Sequence, residues 1–175
     1  MSTRKSRIII LGVILTAIIS LFFIANNHQI EYNEFVKQTY GGEFVKQSID
    51  LQKYIREKFV NPVSEQIFSS GNIQVNIISK DLAYEKEEVY KKISKLEHYV
   101  NSVDDKGLNK EQVLDHNILK EDIMKNLKDL RKNIEECETI LIDDTKDIDE
   151  RFLKYQEKLI YPLESINANI KAIDN

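Results

Sequence analysis

Tryptophan is absent from the chain, cysteine occurs once, proline twice, histidine three times and glycine five times in 175 residues. One cysteine excludes an internal disulfide framework and any structural zinc site built on cysteine pairs. The three histidines, His28, His98 and His116, stand far apart and form no ligand-spaced set. None of the glycines (Gly12, Gly41, Gly42, Gly71 and Gly107) belongs to a G-x-G-x-x-G or G-x-x-x-x-G-K phosphate cradle. H-E-x-x-H and G-x-S-x-G are missing as well, so no recognisable metal-hydrolase or serine-nucleophile signature is present. The expectation is a protein without catalytic, cofactor or metal residues.

Charge is also missing where it matters. Residues 8–25 carry none, and the first seven residues hold Arg4, Lys5 and Arg7 with no acid. With those three set aside, 22 basic residues face all 29 acidic ones, a formal charge of −7 on the body. As a helix, the 18 uncharged, mostly apolar residues from Ile8 to Ala25 span about 27 Å, close to the hydrocarbon thickness of a bilayer. The chain is expected to divide into a basic cytoplasmic stub (1–7), a transmembrane signal anchor (8–25), a juxtamembrane helical segment (26–42) and an extracytoplasmic helical bundle (43–175). Arg4, Lys5 and Arg7 set the orientation through the positive-inside bias. The alternative is a secreted chain released by signal cleavage. The apolar run exceeds a typical h-region, and cleavage after Ala25 would put bulky Phe23 where a small residue belongs.

Beyond the anchor the periodicity is helical. Val89, Ile93, Leu96, Val100 and Val103 form one series, and Leu119, Ile123, Leu127, Leu130, Ile134, Cys137 and Leu141 a second. A third runs through Ile148, Phe152, Tyr155, Leu159, Leu163, Ile166, Ile170 and Ile173. Steps of three and four put each set on one face. The fold class is therefore all-α, an antiparallel three- to four-helix bundle with coiled-coil-like spacing. Helices are expected near 31–60, 73–103, 109–142 and 145–174. Asn61-Pro62 is read as the end of the first, Ser69-Ser70-Gly71-Asn72 and Asp104-Asp105-Lys106-Gly107 as turns, and Asp144 with Asp147 as an N-terminal cap. Pro162 is expected to kink or interrupt the last helix. The pentapeptide Glu-Phe-Val-Lys-Gln occurs at 34–38 and 43–47 on either side of Gly41-Gly42. It is read as a chance echo, although a glycine bend would be able to bring the copies to a common face.

Site candidates are sparse. His116 sits at the edge of the second apolar series and reads as a structural or surface residue. Its five-residue spacing to Glu121 and six to Asp122 is poor geometry for a metal. His98 falls on a solvated face and His28 at the membrane exit. The acidic run Asp143, Asp144, Asp147, Asp149 fails the EF-hand pattern and reads as helix-terminus electrostatics. Cys137 reads as a core residue, with an intermolecular contact as the alternative. Lysines interleaved with acids, together with the negative body, argue against a nucleic-acid partner. Asn, Ile and Lys make 59 of 175 residues, a bias of AT-rich bacterial genomes. The functional expectation is an interaction or structural module of the bacterial cell envelope, bound to the bilayer through 8–25 and to a protein partner or itself through the bundle. The alternative is a ligand-sensing bundle that works with a separate signalling subunit.

Overall fold

The computed structural model describes residues 2–73, 75–143 and 146–174, with side chains described from residue 18 onward apart from Phe23, residues 75–81 and Asp174. Every regular element in that range is helical: α1 (Ser2–Tyr40), α2 (Glu43–Ile55), a five-residue π-helical segment (Arg56–Val60), α3 (Asn61–Ser70), α4 (Val75–Ser102), α5 (Lys110–Ile142) and α6 (Ile148–Asp174). Among the described residues no helix is long and apolar enough to cross a membrane. Of the expected span 8–25, the side chains of residues 8–17 and Phe23 lie outside those described, as do those of Arg4, Lys5 and Arg7.

The first three α-helices and the π segment act as one broken rod. It is antiparallel to α4, because Tyr99 Oη donates to the Thr39 carbonyl at 2.6 Å while Tyr54 donates to Glu85. Lys86–Glu138 at 2.7 Å and Arg131–Glu97 at 2.9 Å fix α5 antiparallel to α4. Asn169 to Asp122 at 2.6 Å and Asn133 to the Lys158 carbonyl at 2.8 Å do the same for α6 against α5. Arg56–Glu164 at 3.0 Å and Tyr155 Oη to the Phe59 carbonyl at 3.1 Å close the ring between α6 and the rod. The result is an up-down-up-down four-helix bundle with short connections.

The apolar series land where their spacing puts them. Every member from Leu119 to Leu141 on α5 is buried, as are Val89 to Val100 on α4 and Tyr155 to Ile170 on α6. On the rod the buried stripe runs Tyr32, Val36, Tyr40, Phe44, Ser48, Leu51, Ile55, Phe59, so α1 joins the core from Tyr32. Local chemistry sets the ends. Asn109 caps α5 by accepting from the Glu111 and Gln112 amides at 2.9 and 3.0 Å, and Gln112 Oε1 accepts the Asn109 amide in return. Gly71 ends α3 at φ 64, and Gly107 turns the chain at φ 90.

Three expectations need correction, and the open question of a break at Gly41-Gly42 is answered. Asn61-Pro62 does not end a helix. Pro62 lacks an amide proton and its ring excludes the carbonyl four residues back, and the preceding π turn relieves both conflicts. The extra residue in that turn moves the stripe by one place, which buries Phe59 and Val60 together. Pro162 does not interrupt α6, which is continuous; the Lys158 carbonyl that Pro162 cannot serve accepts the Asn133 amide instead. The first helix is broken at Gly41-Gly42, where a Cβ on Gly41 would lie 2.6 Å from the Lys37 carbonyl oxygen. Cap formation before α6 falls to Asp147, whose Oδ1 accepts the Glu150 amide at 2.8 Å; Asp144 lies outside the described residues. Both copies of the repeated pentapeptide turn their Phe-Val pair toward the core: Val36 and Phe44 are buried, Phe35 and Val45 pack partly buried against it, and the stripe crosses the glycine pair from Tyr40 to Phe44 in an ordinary step of four.

Candidate functional site

The densest polar cluster inside the bundle lies where α1 ends. Tyr40 is the last residue of α1, Asp105 belongs to the turn after α4, and His116 stands on the second turn of α5. His116 is fully buried. Its Nε2 lies 2.9 Å from Tyr40 Oη and its Nδ1 lies 2.5 Å from Asp105 Oδ1. A carboxylate only accepts, so Nδ1 carries the proton and donates to Asp105, and Nε2 accepts from the Tyr40 hydroxyl. Every polar atom of a neutral imidazole is thereby satisfied. Phe35 meets the ring edge-on at a centroid distance of 5.0 Å, and Tyr40 packs in the same way on Phe44 at 5.4 Å.

Burial holds His116 below the usual imidazole range, and the bond to Asp105 only partly opposes it. Tyr40 is pushed up by burial, then by neighbouring Tyr32, Tyr99 and Asp105, so it stays a hydroxyl. Tyr32 is pushed up to about 12 by burial and by Asp115. Lys120 Nζ donates to the Val103 carbonyl at 2.7 Å and pins the turn that carries Asp105. With His116 sealed from solvent, the arrangement offers no route to a substrate. What it does is tie the end of α1 to the α4–α5 turn and to α5.

The expected site residues fall elsewhere. His28 is exposed; its Nδ1 accepts from Asn109 Nδ2 at 3.0 Å and its carbonyl accepts from Gln112 at 2.7 Å. His98 is exposed. Cys137 is fully buried, and burial pushes its thiol up to about 11. Among the described residues no group of three or more His, Cys, Asp or Glu side chains is placed to hold a metal ion. The role of Asp105 and Tyr40 was not visible in their local sequence. His116 did carry a signal, because Gln112, His116, Leu119 and Ile123 continue the α5 stripe backwards in steps of four, three and four, and all four are buried.

On the outside, three seams of the bundle are bridged by ion pairs or by hydrogen bonds between side chains of opposite charge. The α5–α6 seam is crossed by Asn169 to Asp122 and by Asn133 to the Lys158 carbonyl. It opens into a groove of about 770 Å³ lined by Lys125, Asp129, Lys132, Lys154, Lys158 and Tyr161, among others. Tyr161 is two-thirds exposed at its rim. The groove is polar and shallow, without the apolar walls that enclose a small-molecule ligand. Comparison of the chain with protein-family models, with curated proteins and with solved structures finds no match.

Proposed function

We propose that the chain is a membrane-anchored helical bundle that acts by contacting other proteins in a bacterial cell envelope, with its N-terminus cytoplasmic and residues beyond Asn26 outside. One observation carries this reading. Ile18, Ile19, Leu21, Phe22 and Ile24 are all exposed, and at 100° per residue they point to every side of α1. A helix that is apolar all round belongs in a core or a bilayer, and each such side chain left in water forgoes about 1.5–3 kcal/mol of burial. These five residues make no core contact, so a bilayer is the medium that suits them. From Tyr32 onward the same helix is buried on one face only, which makes α1 a continuous strut from anchor to bundle.

The interaction role rests on the shape beyond the anchor. The interior is a packed apolar core, its buried histidine is sealed, and the long outer surfaces are the parts a partner is able to reach. The groove between α5 and α6 favours a second reading, in which the bundle senses a small polar ligand and passes the signal to a separate subunit. Its volume suits a ligand, but its open lining makes protein contact the better fit.

The test is expression of the full chain in a bacterium, alkaline extraction of the membranes, and crosslinking in intact cells. The chain is expected to stay with the extracted membranes, to carry an externally accessible bundle, and to crosslink to a discrete protein. Recovery in the soluble fraction would overturn the anchor. Recovery of the monomer alone, with a small molecule co-purifying, would move the function to ligand sensing.

A further inference from the structure

We propose that the Tyr40–His116–Asp105 chain is an acid-operated latch, in which protonation of His116 at Nε2 frees the end of α1 from α5 and from the 103–109 turn while the rest of the bundle stays packed. The inference stands on the geometry of three residues and one helix break, and it holds whether or not residues 8–25 span a membrane.

In the closed state the imidazole is neutral and complete: Nδ1–H to Asp105 at 2.5 Å, Tyr40 Oη–H to Nε2 at 2.9 Å. A proton arriving from solvent must bind Nε2, the ring atom already occupied. The new N–H then points at the Tyr40 oxygen, and the tyrosine proton must turn away. Tyr40 Oη has no other hydrogen-bond partner among the described residues. Protonation therefore strands one buried donor and places a positive charge at a fully buried position, with the partly exposed Asp105 as its one compensation.

The other groups around the ring do not relieve it. From α1 come Tyr32 and Tyr40, from α4 Tyr99, from the turn Asp105, and from α5 Asp115 and Lys120, whose cation further disfavours the charged ring. Lys37, Asp104, Lys106 and Lys171 are exposed to solvent. The α6 residues turned into this end of the core, Ile166, Ile170 and Ile173, carry no charge.

The response is local because the helix is already broken beside the latch. Gly41-Gly42 separates α1 from α2, so the α1 end can leave without unwinding α2. Its remaining polar ties are Tyr99 to the Thr39 carbonyl, Gln112 to the His28 carbonyl and Asn109 to His28 Nδ1, and the His116→Gln variant below separates the latch from this last bond. The sign follows from linkage. The opened state binds a proton with the ordinary imidazole affinity, near pH 6.5, and the closed state binds it only at lower pH. Above about 6.5 the latch is fully closed. Between the two values each unit of acidification raises the open population about tenfold.

Hydrogen exchange of the full chain in neutral detergent micelles, corrected for intrinsic rates, tests this between pH 7.5 and 5.0, with histidine NMR alongside. The expected result is a His116 resonance that titrates below the ordinary imidazole value. Protection should fall in 31–42 and 103–109, with no loss in 127–137 or 155–163. His116→Gln should abolish that pH dependence. Asp105→Asn still accepts the Nδ1 proton but no longer favours the imidazolium in the closed state, so the gap between the two proton affinities widens and opening should set in at higher pH. This second variant decides the matter if His116→Gln does not fold. Unchanged protection at pH 5.0 would overturn the latch. So would loss in all segments together, a His116 resonance titrating at or above the free value, or a transition unmoved by Asp105→Asn.

Discussion

The repair of Pro162 by Asn133 makes a quantitative prediction, because the same carbonyl can be served from two sources. In the native chain the Lys158 carbonyl has no helical donor four residues on, since Pro162 carries no N–H, and Asn133 Nδ2 fills the place at 2.8 Å from the neighbouring helix. Asn133→Ala removes that donor. The bond lies at the edge of the α5–α6 groove, where water can partly replace it, so the cost should fall near the lower half of the 0.5–1.5 kcal/mol typical of one hydrogen bond, about 0.5–1 kcal/mol. Pro162→Ala supplies the missing amide from within α6. Removing proline from a helix interior gains up to about 3 kcal/mol, and losing its buried ring carbons returns about 0.8 kcal/mol per methylene, so this variant should be neutral to stabilising. In the Pro162→Ala background the Asn133→Ala cost should fall close to zero. The cycle therefore predicts a coupling of about 0.5–1 kcal/mol between residues 29 positions apart. Guanidinium melts of the four full-length forms in detergent, followed by helical circular dichroism, measure it. Equal costs for Asn133→Ala in both backgrounds would refute the reasoning, whether that cost were large or nil.

Other consequences follow from single positions. Gly41→Ala would ordinarily gain about 0.5–1 kcal/mol in a helix, but the Lys37 carbonyl at 2.6 Å from the new Cβ is backbone and cannot step aside, so a loss of about 1–3 kcal/mol is expected in the same melts; a gain would show that the break is pliable. Leu127→Ala, at a fully buried position in the middle of α5, should cost about 2–5 kcal/mol, and a cost below 1 would mean the core is not packed there. Cys137 should resist thiol reagents in the folded chain at pH 8 and react only on unfolding, because its thiol is buried and pushed up to about 11; rapid labelling of native protein would contradict that placement. Asn109→Ala should cost about 1 kcal/mol and increase exchange at the start of α5.

The bundle was legible in the sequence because its three long apolar series are strictly periodic, and burial on α4, α5 and α6 follows them, with Val103, Ile148, Phe152 and Ile173 at the ends partly buried. The two proline misreadings share a cause: proline rules are local, and neighbours cancelled the conflict. At Pro62 a π turn inserts one residue, and at Pro162 a side chain 29 residues away donates the missing bond. Neither compensation leaves a mark at the proline itself. The latch was hidden for a different reason, since the α5 stripe marks His116 as buried but its partner Tyr40 lies 76 residues away.

These features converge on α1. Ile18, Ile19, Leu21, Phe22 and Ile24 are exposed, and from Tyr32 the apolar side chains fall on one buried stripe, so within about two turns the helix passes from exposed to packed. A helix making that change must be fastened just beyond it, or its free end would sweep the bundle out of register. Fastening by apolar contacts alone gives no orientation, because such contacts tolerate rotation and sliding. The polar ties gathered here, His28 with Asn109 and Gln112, Thr39 with Tyr99, and Tyr40 with His116, fix the rotation of the end of α1 against both α4 and α5. A buried histidine is costly anywhere else in such a core. At this junction its directional bonds hold the helix in a single orientation, and its titration makes that orientation conditional.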